Sequence, residues 1–528
     1  MVHFSPKYNN GFHWFTQNNI RAKGYLFDAE GKYYCDDGLT EYFFDVKDNE
    51  SLQIKLEQAN GLFTAFVQIE DAVYLACDPT RTFPLFYCLK DKEFYVSDSI
   101  ESLMGITGLK DPDPLSQLEF RSTAFVAGRE TLIKGIYQVQ AGEMVCLRKY
   151  KAEQSFYHTY TTSFTVDSTK EVFTKKFEEL LDDVFGRLIA SLGGRTIVLP
   201  LSGGYDSRLI AVMLKKYDVR NVICFTYGRR DNPEMEISSK TACILGYPWY
   251  FVEYTPELIR DFIQDDCFQE YFRYSAQYSS MFYMQEYFAV KYLTEHSLIP
   301  KDAVFVPGHS GDFLGGSHLD GKLKPHSSAK KLVNEIFKRN FILYGLSGKE
   351  KQMLKAKIWN PVKEEGSEKK LLTYSLYENW DLKERQAKFI INSSNVYYYF
   401  GHQVRLPLWD TGLVNFFNIL PYELKLYKRF YNRVLEESYF KPFHVHFENE
   451  FQPAPLQIKL QVLKNYLRPF IPEWVKEKIL LRNDWMCYQE ITALMAEDMR
   501  KRNIRFKFNG SAYNSLIVQW YLSQVGFK

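Results

Sequence analysis

The stretch TIVLPLSGGYDSRLIAVMLKKY, from Thr196 to Tyr217, joins a short, nearly all-apolar run to a helix-periodic one through a loop with two glycines and two serines. Thr196 to Leu201 is too short for a buried helix and reads as a strand covered on both faces. A second strand is expected at VICFTYG (Val222 to Gly228), a second helix at Glu234 to Leu245 and a third strand near Trp249 to Tyr254. Strands alternating with helices predict a doubly wound parallel sheet. Right-handed crossovers then put the SGGYDS loop at the carboxyl edge of the sheet, where open α/β folds bind ligands.

Glycines and hydroxyls between a buried strand and a helix N-terminus let backbone N–H groups converge on an anion, and the helix dipole adds to their pull. No lysine follows in the GxxxxGK[ST] spacing, so this is not a Walker A loop. Ser202, Gly203, Gly204 and Ser207 are the candidate phosphate contacts. Asp206 would repel a phosphate unless a Mg²⁺ ion stood between them, and a second carboxylate would help to hold that ion. Asp312 is the candidate partner. It lies in VFVPGHSGDFLGG (Val304 to Gly316), where four glycines after an apolar run suggest a backbone that approaches a ligand closely.

Outward from this centre the chain changes character. Residues 1 to about 160 carry short alternating runs broken by turns, such as LFTAFVQIED, AVYLACDP, PLFYCLKD and EFYVSDS, which read as strands. An amphipathic helix begins at Ser168, with Glu171 three places on as in a capping box, and ends at Gly193 and Gly194. From about Asp261 the pattern is mainly helical. Among 528 residues, 66 Lys and Arg against 64 Asp and Glu leave a charge of +2, so no nucleic-acid partner is implied. No apolar run is long enough to span a bilayer and the first residues lack a secretory pattern, so the reading is cytoplasmic with no membrane partner. The eight scattered cysteines suggest neither a disulfide framework nor a zinc site.

The SGGYDS loop resembles the PP-loop of the ATP pyrophosphatases, and the likeness extends to the class B asparagine synthetase family. Val304 to Gly316 resembles that family's SGEGADELFGG, and GHQVRLPLWD (Gly401 to Asp410) resembles its GVEARVPFLD. Upstream, DPTRTFPLFY (Asp78 to Tyr87) is similar to RDxxGxxPLYY, YVSDSIESL (Tyr95 to Leu103) to FASELKAL, and TLIKGIYQVQAG (Thr131 to Gly142) to TxxxGIxxLxPG. The motifs keep the family order across most of residues 60 to 440.

The resemblance implies an α/β chain in two parts. Residues 1–165 would form a β-rich (α+β), degenerate glutamine-amidotransferase-like unit on an amidohydrolase-like scaffold, and residues 166–528 an ATP-pyrophosphatase domain with a doubly wound parallel sheet and a helical C-terminal part. It also implies ATP and Mg²⁺, a carboxylate activated as an acyl-adenylate, loss of pyrophosphate, and attack by ammonia or an amine. Asp206 and Asp312 would hold the metal. Tyr227 and Gly228 would border the adenine on one side, Pro307 and Gly308 on the other. Lys428 falls where the family places a phosphate-neutralising lysine, although Lys425, Arg429 and Arg433 are near enough to compete.

Three departures qualify this. Residue 2 is Val2 rather than the family's nucleophilic cysteine, Cys35 lacks a free α-amine, and RGPDxxG and NGEIYN are not recognisable, so no glutaminase activity is expected. Three family carboxylates, expected beside the acyl acceptor, become His309, Phe313 and Gln403, which suggests a changed second substrate. His309, with an ordinary pKa of about 6.5, is a candidate proton acceptor or a loop-filling hydrogen-bond partner. Arg405, in the apolar stretch VRLPLW, must find a carboxylate or carbonyl and would brace the site loops. The leading expectation is an amide-bond ligase. Asparagine synthetase proper, sugar-acid amidation in surface-polysaccharide synthesis, another PP-loop chemistry, and a non-catalytic nucleotide- or partner-binding descendant stay open. So do a homodimer and a separate ammonia-supplying partner.

Overall fold

The computed structural model describes residues 1–230, 232–368, 371–447, 484–507 and 512–527. Its first part is built from eleven strands: β1 (Val2–Phe4), β2 (Trp14–Gln17), β3 (Ile20–Phe27), β4 (Tyr33–Cys35), β5 (Asn60–Ile69), β6 (Ala72–Cys77), β7 (Phe86–Lys90), β8 (Glu93–Ser97), β9 (Ile136–Gln138), β10 (Glu143–Arg148) and β11 (Lys151–Phe156). They form a four-stranded sheet, β1-β8-β7-β9, and a seven-stranded one, β11-β10-β6-β5-β3-β2 with β4 beside β3. Alternation decides what each face meets. Phe66, Leu75 and Val145 pack with Tyr87, Phe94 and Val96 between the sheets. Phe63, Ala65 and Val67 turn the other way, onto Leu52 and Leu56 of the helix Asn49–Gln58.

The helix Lys170–Ala190 starts one residue later than its sequence pattern suggests. Its cap is Thr169, whose hydroxyl accepts the Val172 N–H at 3.4 Å, rather than Ser168. Phe173, Phe177, Leu181, Val184 and Leu188 are its buried face. Next come β12 (Ile197–Pro200), β13 (Val222–Gly228), β14 (Trp249–Glu253) and two strands of only two residues, β15 (Val304–Phe305) and β16 (Gln403–Val404). All pair in parallel, in the order β14-β13-β12-β15-β16. The chain winds outward from β12 through β13 to β14, then returns to the other side of β12 as β15. The crevice between the ends of β12 and β15 is therefore the topological switch point.

One apolar cluster runs through both parts, from Phe86 and Ile100 through Leu199 and Phe305 to Phe417 and Trp520. Most of the aromatic richness is spent there, as in the stacked pair Phe305 and Tyr397 with centroids 4.4 Å apart. Arg405 is fully buried where β16 meets the β-rich part. Its guanidinium donates to the Ser191 hydroxyl at 3.0 Å, the Gln403 side-chain oxygen at 3.1 Å and the Tyr33 hydroxyl at 2.9 Å, and it lies 4.2 Å from the Tyr25 ring centroid. It braces the junction between the two parts rather than the loops at the switch point. No helix among the described residues is long and apolar enough to cross a membrane.

Candidate functional site

Both glycine loops leave the sheet at the switch point, from β12 and β15. After β12, Ser202 and Ser207 tie the loop to the first turn of the helix Tyr205–Lys216: the Ser202 N–H donates to the Ser207 hydroxyl at 3.1 Å and the Gly204 N–H to the Ser202 hydroxyl at 3.1 Å. Gly204 is the N-cap of this helix and, having no side chain, leaves the first-turn N–H groups without a side-chain cap. After β15, Gly308 lies so close that a β-carbon on it would stand 2.9 Å from the Ser207 nitrogen and 3.1 Å from Asp206 Cβ. Only glycine lets the loops meet in this way.

The two carboxylates meet at this crossing. Asp206 Oδ2 accepts the backbone N–H of Asp312 at 2.8 Å, and Asp206 Oδ1 accepts the Tyr431 hydroxyl at 2.8 Å. Burial first, and the Asp312 charge second, push the Asp206 carboxyl up to about 7, against the two hydrogen bonds and the positive charge of Lys428. Asp312 itself is exposed at the mouth. Among the described residues no group of three or more His, Cys, Asp or Glu is arranged to hold a metal. The Asp206–Asp312 pair offers hard oxygen donors and a surplus of negative charge, which suits Mg²⁺ completing its shell with phosphate oxygens and water.

A cavity of about 350 Å³ opens over this crossing. Ser202, Gly204, Asp206, Ser207, Tyr227, Pro307, Gly308, His309, Asp312 and Lys428 all line it. Gly203 and Gly228 do not. Gly203 turns its carbonyl to the buried Arg208 guanidinium at 2.7 Å, and Gly228, at φ +121°, packs against the Trp485 carbonyl. Of the three altered family positions, only His309 reaches the cavity. Phe313 is buried against Tyr160, His318 and Trp409, and Gln403 bonds Arg195 and Arg405 at the domain junction. The expectation that all three lie beside an acyl acceptor is thus corrected for Phe313 and Gln403. Their side chains leave the loop and the strand on the sides facing the core.

The choice among the four basic residues is made by a kink. Tyr427 and Lys428 both take left-handed backbone, φ 57° and 58°, a conformation that separates Lys428 from its neighbours. Lys428 faces the cavity, whereas Lys425 is fully buried in an ion pair with Glu378. Arg429 lies over the exposed Tyr427 ring and Arg433 pairs with Glu437 at 3.1 Å. Burial holds the His309 imidazole down to about 4, so it is neutral near pH 7. Its Nε2 meets the Ser393 hydroxyl at 3.3 Å and its Nδ1 is buried without a partner.

Sequence reasoning missed Tyr431, which orders Asp206, and the far wall formed by Tyr283, Gln285, Glu286 and Met486. These residues sit in segments without motif character, so no local signal marked them.

A parallel sheet whose two glycine loops cross at its switch point, with two aspartates and a lysine lining one cavity, defines a doubly wound α/β protein. The asparagine synthase family model matches residues 177–473, more than half of the chain, which belongs to that family. Its matches among solved structures include glutamine phosphoribosylpyrophosphate (PRPP) amidotransferase from B. subtilis complexed with ADP and GMP, 9% identical over 58% of this chain and 59% of that one with a TM-score of 0.19. They also include the allosteric regulatory enzyme of purine biosynthesis, 11% identical over 62% of this chain and 59% of that one, again with a TM-score of 0.19. This chain thus spans 59% of each structure, and likenesses at such scores carry no argument. No curated protein matches the chain.

Proposed function

We propose that the protein is an AMP- and pyrophosphate-forming amide-bond ligase that adenylates a carboxylate and passes the acyl group to ammonia or an amine. The observation that carries this is the meeting of Asp206, Asp312, Lys428 and the glycine-capped start of the helix Tyr205–Lys216 in one cavity at the switch point. The Ser202, Gly204 and Ser207 loop would hold the β and γ phosphates by backbone N–H groups and hydroxyls. Asp206 and Asp312 would hold Mg²⁺, which when bound offsets charge on the phosphates. Lys428 adds a cation on the same wall.

A substrate carboxylate oxygen then attacks the α-phosphorus as the bond to pyrophosphate breaks, and the amine nitrogen attacks the acyl carbon as AMP leaves. His309 lines the same cavity and would take the proton that nitrogen sheds only if the bound substrate's charge offsets the burial that holds its pKa down to about 4. Tyr227, Pro307 and Gly308 border the part of the cavity left for the nucleoside. We also assign residues 1–165 to a β-rich scaffold without glutaminase activity and residues 166–528 to the ligase domain.

Pyrophosphate release from Mg-ATP, measured with and without a panel of carboxylic acids and with ammonium, tests this. Release that depends on the acid is expected. Silence with every acid would favour a non-catalytic nucleotide-binding descendant. Release with aspartate alone would favour asparagine synthetase proper, and release with uronic acids would favour sugar-acid amidation. Glutamate formed from glutamine by the purified protein would overturn the assignment of the N-terminal part.

A further inference from the structure

The cavity has a carboxyl group that none of the roles above employs. Glu286, at the start of the helix Tyr287–Glu295, lines the wall beyond the end of β13 and is only 8% exposed. Its Oε1 accepts the Tyr227 hydroxyl at 3.1 Å and its Oε2 accepts the Tyr397 hydroxyl. Gln285 steadies Tyr227 from the side, its Nε2 donating to the Tyr227 hydroxyl at 3.3 Å, while the Tyr283 hydroxyl donates to Gln285 Oε1 at 2.9 Å. Every donor to Glu286 in this network is neutral. No lysine, arginine or histidine among the described residues forms an ion pair with it.

A carboxyl whose two oxygens both accept phenol O–H groups is arranged as an acceptor, the form that suits the carboxylate. Burial pushes its pKa up and the two phenols pull it back. A buried carboxylate without a cation is costly, and proteins rarely keep one unless something answers the charge. Glu286 lines a cavity, so a ligand can bring the positive charge that its neutral partners do not supply. Of the family carboxylates replaced in this chain only the one at position 309 would reach the cavity, and the structure supplies a carboxyl to that cavity from a different element.

We propose that Glu286 is the receiving group for a cationic nitrogen donor, ammonium or a small primary alkylammonium, which it holds in the cavity opposite the phosphate loop. That the held nitrogen serves as the nucleophile rests on the ligase reading, in which it passes one proton to water and attacks as the neutral amine; the cation site itself does not rest on it. An anionic or neutral second substrate would leave the Glu286 charge unanswered, so the wall selects for amines.

Rubidium, of ammonium's charge and similar size, serves as the probe. Full-length crystals soaked in rubidium chloride should show an anomalous peak beside Glu286, and the same soak of Glu286→Gln should not. No peak in the wild type, or one kept in Glu286→Gln, overturns the proposal. In solution, methylammonium chloride should raise the wild-type melting temperature above tetramethylammonium chloride, whose cation is too bulky and has no N–H, at equal ionic strength, and equal effects of the two salts would count against the site. Should Glu286→Gln not fold, the wild-type soak decides alone. A peak confined to crystals that also hold Mg-ATP and lying on its phosphates would likewise refute it. If rubidium binds at Glu286 while Mg-ATP fails to bind, the ligase reading falls and the cation site stands. If acid-dependent pyrophosphate release is found with no rubidium site, the reverse holds.

Discussion

The backbone N–H of Asp312 donates to the side chain of Asp206 at 2.8 Å, across 106 residues of sequence, so that one carboxylate is held by the loop that carries the other. The arrangement brings like charges together. It raises the Asp206 pKa to about 7, through burial first and Asp312 second, and makes the site sensitive to pH.

For an unfolded chain that carboxyl would titrate near its ordinary 3.8. Between the two values the folded protein keeps a proton that the unfolded chain has lost, so stability falls as pH rises through this window. Asp312→Asn removes the charged neighbour while keeping the backbone N–H. The variant should be more stable than wild type by on the order of 1 kcal/mol near pH 8, with the gap closing toward pH 4, and should lose pyrophosphate release. Urea unfolding at both pH values measures it, and an unchanged gap would show that repulsion at this pair is unimportant.

Tyr431→Phe takes away a hydrogen bond that favours ionised Asp206. The carboxyl then holds its proton more tightly, and a metal must displace that proton to bind. Mg²⁺ affinity near pH 7 should drop by about tenfold, with the deficit shrinking toward pH 9. Thermal-shift titration with Mg²⁺ at both pH values reads this; a deficit that does not depend on pH would point to lost packing instead.

Lys425 and Lys428 should separate stability from activity. Lys425→Met leaves Glu378 buried without its cation and should cost about 3–5 kcal/mol in unfolding free energy. Lys428→Met, at a half-buried residue on the cavity wall, should change stability by less than about 0.5 kcal/mol and lower acid-dependent pyrophosphate release by roughly 100-fold. The opposite pattern would reassign the phosphate contact to Lys425.

Gly308→Ala adds one methyl where the two loops touch, 2.9 Å from the Ser207 nitrogen. The loops must part, at a cost of about 1–3 kcal/mol, and Mg-ATP binding should weaken more than the melting temperature suggests. Calorimetric titration with a non-hydrolysable ATP analogue compares the two, and wild-type affinity would mean that the loops are free to adjust.

Much of this was legible in the sequence. Buried runs such as Val222–Gly228 appear in the structure at the residues that their pattern marks, because a strand covered on both faces has little freedom in composition. The loop at Ser202–Ser207 could be placed between strand and helix because small residues in a row break both patterns. The two-residue strands β15 and β16 could not be delimited, since pairing rather than pattern makes them strands. Motif alignment located Phe313 and Gln403 along the chain but said nothing of where their side chains point. Lys428 was separable from Lys425 only through the left-handed pair at 427 and 428, a tertiary effect no local propensity announces. Glu286 lay unmarked because its importance comes from Tyr227 and Tyr397, brought to it from elsewhere in the chain.

The kind of side chain at each altered position determines where this protein was free to diverge. Phe313 and Gln403 now serve as mortar between layers, so exchanging them would disturb the scaffold before it touched any chemistry. Innovation is funnelled instead through His309 and the wall from Tyr283 to Glu286, which border the cavity opposite a main-chain grip that is indifferent to side-chain identity. A library confined to those few positions would vary the cavity wall while leaving the crossing of the two glycine loops untouched.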